Sequence, residues 1–453
     1  MKPIRLLIAL VILLGLSGAV WYSERHPPQP KSESKTEKIL TLEQDQIRKI
    51  HVTRTAGESV TLEKSDDGKW RITAPKSYKA DESTASSMVS SLASLNADQV
   101  IEEKNTDWAT YGLEPGKLHA EITLKDGKQH KLTLGEEAPT SSGVYARLEG
   151  SPRLFTIASY VKSSLDKSVQ DLRDKRVLPF ESEKVSRVTV VTKDRTLEFG
   201  KAGSAWQIVK PSPMRADNYA VDDMVRAVRD ANFESILDES EKPPPKYSFA
   251  SPHAAFEAVD PGGVHKLTIG KDKDSNYYAS TTAMPGVFKI ASSVADALNK
   301  KLEDLRNKKL FDFGWNDPQK LEVRDGEVRL TIEKKGDKWL RADAGNRELP
   351  SDKVQTLIDN LRNLSSKTFT ADEAPAQAKY GLSKPVADAK VTSDDGKRVE
   401  RVLIASGPES KYYAARENEP ATYEIEKTSY EDYQKAITAL KDAPPPAPEK
   451  KSK

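Results

Sequence analysis

The triplet Gly68-Lys69-Trp70, followed by Tyr111-Gly112-Leu113, decides the reading of this chain because the pair occurs three times. It returns as Ser204-Ala205-Trp206 with Tyr247-Ser248-Phe249, and as Asp337-Lys338-Trp339 with Tyr380-Gly381-Leu382. Trp206 and Tyr247 each stand 136 residues after their counterparts, and Trp339 and Tyr380 each stand 133 after theirs. Two landmarks that shift together imply duplication of a whole unit. A period of about 130 residues is that of a domain, not of a short solenoid repeat.

Further landmarks keep the same period. Leu132-Thr133-Leu134-Gly135 becomes Leu267-Thr268-Ile269-Gly270 and then Val402-Leu403-Ile404-Ala405. Val144-Tyr145-Ala146 becomes Tyr277-Tyr278-Ala279 and Tyr412-Tyr413-Ala414. Leu172-Arg173-Asp174-Lys175 returns as Leu305-Arg306-Asn307-Lys308 and, more loosely, as Leu440-Lys441-Asp442. In the first copy, Ile47, Ile50 and Val52, then Val60 and Leu62, then Trp70 and Ile72 carry the strand pattern, with turns at Ala56-Gly57 and Asp66-Asp67-Gly68. Asp81 then caps a helix whose Met88, Val89, Leu92 and Leu95 fall on one face; Asp217 and Ser351 open its counterparts. A four-strand meander follows, and a helix over roughly residues 158–172 closes the first copy. The expectation is an α+β chain: three tandem repeats of an antiparallel-sheet-plus-helices unit, each with a three-strand half and a four-strand half.

The 453 residues carry 71 basic and 69 acidic side chains, so a net charge of +2 draws in no nucleic acid by long-range field. There is no cysteine, which excludes disulfides, thiolate nucleophiles and cysteine-held zinc. Lys2 and Arg5 precede an uncharged run of 17 residues from Leu6 to Tyr22. This reads as a signal anchor, a transmembrane helix over 1–22 with its basic leader inside. A polar, proline-containing stalk over 23–44 would lift the repeats off the bilayer. The repeats are expected at 45–178, 179–311 and 312–443, with a disordered Pro/Lys tail over 444–453.

Candidate chemistry is sparse. His130 and His265 occupy equivalent positions, with Glu400 in the third copy, and are read as solvent-side strand residues. Asp66-Asp67 and Asp394-Asp395 flank turn glycines, where aspartate suits the turn itself. Trp70, Trp206 and Trp339 read as core anchors rather than stacking platforms. Lys300, Lys301, Lys308 and Lys309 interleave with Glu303, Asp304 and Arg306, the pattern of a solvated helix face. Pro243-Pro244-Pro245 reads as a stiffened loop. No nucleophile elbow, phosphate loop or HExxH is present, so no catalytic, cofactor-binding or metal residue is assigned and no cofactor is expected.

The anchor, the Asp-Gly-Lys-Trp hairpin, the capped helix and the Tyr-Gly-Leu turn resemble an uncharacterised bacterial domain-of-unknown-function family. Its members are found beside gliding-motility-type ABC transporter proteins. The resemblance spans most of residues 38–443, with Tyr247-Ser248-Phe249 its main departure, and brings no catalytic residues with it. It implies a membrane-anchored accessory or scaffold protein of the bacterial inner membrane, single-pass, with the bulk of the chain in the periplasm. Its partners would be integral membrane or periplasmic proteins of ABC-transporter type. The alternatives are a glycan- or peptide-binding envelope module and an envelope hydrolase. Ser17-Gly18-Ala19 offers a small-residue cleavage site, so mass analysis of the mature protein tests the anchor. An intact N-terminus is expected; one beginning near Val20 rules the anchor out.

Overall fold

A central strand pair organises each repeat. The computed structural model describes residues 37–55, 57–139, 143–247 and 249–444. These divide into two compact units, one up to Lys175 holding repeat one and one from Arg176 holding repeats two and three. In repeat one the elements are β1 (Glu37–Thr41), β2 (Ile47–Arg54), β3 (Val60–Lys64), β4 (Trp70–Ala74), β5 (Tyr78–Lys79), α1 (Glu82–Ala93), β6 (Ser94–Ala97) and β7 (Gln99–Glu102). Then come β8 (Leu118–Leu124), β9 (Gln129–Glu137), β10 (Gly143–Leu148), β11 (Leu154–Ala158), α2 (Ser159–Leu165) and α3 (Val169–Leu172). The sequence suggests two separate halves, but β2 pairs with β8 and fuses them into one nine-stranded sheet, ordered β5-β4-β3-β2-β8-β9-β10-β11-β7. Both strands turn apolar residues to one face, and β2 places Ile50 and Val52 opposite Ile122 and Ala120. The same nine-strand order recurs in repeats two and three, where strands Arg187–Thr192 and Ala254–Asp260, then Lys320–Asp325 and Ala387–Ser393, make the central pair.

One face of each sheet is apolar and carries the helices. The helix stripe lies on it: Met88, Val89 and Leu92 in α1, Met224, Val225 and Val228 in Asn218–Arg229, and Leu357, Ile358 and Leu361 in Ser351–Asn363 are all buried. Asp81 accepts the Thr84 amide at 2.8 Å and Asp217 the Ala220 amide at 3.0 Å. The third copy differs from expectation: Pro350 occupies the cap position, Ser351 is already helical, and no side chain caps the helix. The closing helix is also not continuous. Ser168 and Asp171 form a reciprocal capping box that starts α3 anew after α2, whereas repeat three closes with one helix, Lys427–Lys441.

The three tryptophans stand at the start of equivalent strands, each buried in its own repeat's core. Each lies directly across from a lysine, Lys64, Lys201 or Lys334, whose ammonium sits 5.9, 4.7 or 5.4 Å from the indole centroid. Helix and hairpin are tied together here, because Glu82 and Asn218 accept the backbone amides of Trp70 and Trp206.

On the opposite face the sheet is largely open, and the tyrosine turn covers one patch of it. Tyr111 meets Tyr145, Tyr247 meets Tyr278, and Tyr380 meets Tyr413, with centroids 4.9, 5.1 and 4.7 Å apart. Gly112 takes φ +65°, and a side chain on Gly135 would come within 2.2 Å of the Tyr111 carbonyl. That close approach explains the glycine of the Leu-Thr-Leu-Gly stretch.

The boundaries differ from those read in the sequence. Glu37–Thr41 is no stalk: it pairs with β6, and Ile39, Leu40 and Leu42 pack on the core. Arg176 pairs with Asn232 and Lys309 with Ser365 in the same way, and Val177, Leu178, Leu310 and Phe311 belong to the cores that follow them. Each repeat therefore begins a few residues before the expected 179 and 312, because an apolar pair there has its burial partners downstream. The anchor at 1–22, the stalk up to residue 36, Ala56, Ser248 and the tail beyond Pro444 lie outside the described residues. No described helix is long and apolar enough to cross a membrane.

Two expectations follow. Trp206→Ala removes a buried indole and should cost about 3–5 kcal/mol in urea unfolding. Asp81→Ala and Asp217→Ala should each cost about 1 kcal/mol, while Ser351→Ala, which removes no cap, should leave the midpoint nearly unchanged.

Candidate functional site

Basic residues near the end of repeat two do not form a solvated helix face. Only Leu302–Leu305 is helical there, and Arg306, just beyond it, is 4% exposed. Its guanidinium forks onto Asp372 of repeat three, with N–O distances of 2.6 and 3.1 Å, and lies 3.7 Å from the Phe369 ring centroid. Such a stacked, bidentate arrangement uses the planar shape of arginine, which lysine lacks.

Beside it a second cluster joins the same two repeats. Arg215, on the short strand Met214–Arg215, reaches Asp312 at 2.7 Å and donates to the Lys309 carbonyl at 2.7 Å. Its Nε lies 2.9 Å from Glu419, close enough for ion pairing but not aligned as a hydrogen bond. Arg416 contacts Glu400 at 3.0 Å and Glu419 at 2.8 Å and donates to the Leu310 carbonyl. Glu400 in turn accepts the Asp312 amide at 3.0 Å. Burial opposes the Arg215 charge, and Glu419 and Asp312 outweigh it, leaving the group above the ordinary arginine value.

These residues border a cleft of about 470 Å³ between repeats two and three, whose walls include Met214, Phe369, Pro420 and Tyr423. The Tyr423 hydroxyl donates to Glu419 at 2.7 Å, and burial followed by the Glu419 charge pushes its pKa up to about 12. A phenol so held stays protonated at neutral pH and is no general base. The cleft's cations and carboxylates are committed to one another, and no histidine lines it. The arrangement ties repeat two to repeat three.

The residues singled out in the sequence are not brought together. His265 and Glu400 lie on the core-side face, not the solvent side, because each sits two residues before a core strand residue, Leu267 or Val402. His130 has the same phase. His265 stacks on Phe180 at 5.5 Å and pairs with Asp260 at 3.0 Å, and Glu400 is the buried partner of Arg416. Asp67 accepts the Lys69 amide, and Asp394 and Asp395 both take φ +53°, so both acidic pairs shape turns. The proline run leads into a one-turn helix, Pro245–Tyr247. Among the described residues no group of three or more His, Asp or Glu is placed to hold a metal. Arg306 is what sequence reasoning missed; its signal was the recurrence of Leu-Arg-x-Lys at positions 172 and 305.

Removing Asp372 leaves a buried guanidinium without its carboxylate. With that carboxylate 44% exposed, Asp372→Asn should cost about 2–3 kcal/mol, less than a fully buried pair, in calorimetric unfolding. The raised Tyr423 pKa gives a second test. Its folded value lies above the unfolded value of about 10, so its contribution is intact below pH about 10 and lost as pH rises toward about 12. Tyr423→Phe should flatten the alkaline fall in stability across that window in denaturant titrations.

No curated protein matches this chain. The family described as "Domain of unknown function (DUF4340)" matches it over residues 70–204, 206–350 and 344–443. The first two matches open at or on Trp70 and Trp206, so the family's frame runs from tryptophan to tryptophan and cuts across the sheets. With three matches spanning most of its length, the chain belongs to the DUF4340 family, whose domain it carries in three copies.

Proposed function

We propose that this protein is a non-enzymatic accessory or scaffold of a bacterial envelope complex. In this reading residues 1–22 anchor it in the inner membrane and the repeats stand in the periplasm. The observation that carries it is the seam of repeats two and three, where Arg215 and Arg306 of repeat two are spent on Asp312, Glu419 and Asp372 of repeat three, with Arg416 bracing Glu400 and Glu419 beside them. Polar groups that could serve chemistry instead fix the geometry between two sheets. Burial of Trp70, Trp206 and Trp339 supports a scaffold over a stacking platform. Tandem sheets leave open faces and edge strands for weak contacts, which linkage on one chain and confinement to a membrane add into avidity. The resemblance to proteins encoded beside gliding-motility-type ABC transporters supports transporter components as the partners.

A second reading, a glycan- or peptide-binding module, draws on Trp315, which is 88% exposed. Co-purification of the tagged full chain from solubilised membranes separates the two. The scaffold reading expects integral transporter subunits in stoichiometric yield. It fails if the purified chain hydrolyses an envelope polymer and one carboxylate or histidine substitution abolishes that activity. It fails equally if a version lacking residues 1–22 fully complements a deletion at normal expression.

A further inference from the structure

Repeat one differs from its sister copies on the open face of its sheet. Strands β8, β9 and β10 align His119, Thr133 and Arg147 in one row, and Lys131 lies two residues along β9 on the same face. With Trp108 these residues line a cleft of about 580 Å³. The Arg147 guanidinium lies 5.0 Å from the Trp108 ring centroid, and His119 Nδ1 lies 3.1 Å from the Thr133 hydroxyl. Among the described residues neither Lys131 nor Arg147 makes an ion pair. Glu121 stands opposite Lys131 in the register and Glu149 lines the cleft, yet neither comes within ion-pairing distance of either cation.

The sister copies neutralise the same positions. Strand register sets Lys266 and Arg401 at the place of Lys131. Lys266 pairs with Glu257 at 2.8 Å, and Arg401 pairs with Asp388 and Glu417 at 3.3 and 3.5 Å. Ser280 and Ala415 replace Arg147, opposite Thr268 and Leu403. Pro244 and Gln377, three residues before the turn tyrosines, replace Trp108. Among the described residues, repeat one alone thus combines two cations without a carboxylate partner, a histidine and an indole on this face. The His119 imidazole registers the excess: burial first, then the charges of Lys131 and Arg147, push it below the usual histidine range.

We propose that this cleft binds an oxyanion, a phosphate or carboxylate group carried by a small ligand. Stacking on Trp108 fixes the plane of the Arg147 guanidinium and leaves its N–H edge free to fork onto two oxygens. Lys131 adds a point charge, while His119, held between the Thr133 hydroxyl and the Pro115 carbonyl, forms the floor. The site is independent of any scaffold role, since it uses no residue of the seam.

The test is calorimetric titration of the full chain with inorganic phosphate, glycerol phosphate and glucuronate, the last separating a carboxylate source from a phosphate one. At least one should bind saturably, and Arg147→Gln should weaken it about tenfold or more. Lys266→Gln, the repeat-two counterpart of Lys131→Gln, should leave binding unchanged. NMR titration of His119 gives a readout that needs no variant: anion binding should raise its pKa by screening both cations. Absence of saturable binding by all three anions overturns the proposal. So does binding that survives Lys131→Gln with Arg147→Gln, or that leaves the His119 titration unmoved.

Discussion

The pairing of β2 with β8, and its counterparts in the other repeats, is the constraint on which the rest of the structure depends. It is the one long-range contact that makes a hairpin and a meander into a single sheet. Once it forms, side-chain alternation puts Ile50, Val52, Ala120 and Ile122 on the same face, and that face needs a cover. The capped helix and the closing helices supply it. A slip of one residue in this register would turn every core side chain outward, so the burial itself holds the register.

Continuity between repeats two and three follows from a short peptide with two allegiances. Leu305 packs in the core of repeat two, and Leu310 and Phe311 pack in the core of repeat three. The residues between them carry the backbone from one sheet to the next. Buried there, Arg306 binds Asp372, and Asp312 gathers Arg215, Asn307 and the Glu400 carboxylate around its own peptide. Ion pairs of this kind contribute modestly to net stability, because desolvation offsets most of their attraction. They contribute more to orientation, since a guanidinium fork accepts its carboxylate from one direction. That is why a seam of this composition suits a fixed spacing between modules.

The copies agree where packing demands it and diverge where water allows it. The Lys–Trp pair, the tyrosine pair and the helix stripe recur because each fills a volume that the sheet leaves. The open faces carry no such demand. Repeat three has laced its face with Arg324, Asp388 and Arg401, repeat two pairs Lys266 with Glu257, and repeat one leaves Lys131 and Arg147 without an ion pair among the described residues.

By itself the sequence determined the triplication, the α+β class, most strands, the helix stripe and the burial of Trp70, Trp206 and Trp339. These are legible because periodicity, turn residues and caps are local, and a repeat triples each signal. What only the tertiary structure decided was long-range. Fusion of the halves into nine strands requires β2 to find β8 some seventy residues on, which no local pattern encodes. The repeat boundaries depend on which core accepts Val177 or Leu310. Arg306 looks like a solvated charge in a run of mixed charges and becomes a buried partner only when Asp372 of the next repeat arrives, while Glu400 is buried when its own repeat folds Arg416 against it. The cleft on repeat one is of the same kind, for strand order brings Lys131 and Arg147 together and the tyrosine turn folds Trp108 over them. A charge in sequence has a sign; its partner, and so its meaning, is set by what the fold brings within a few ångströms.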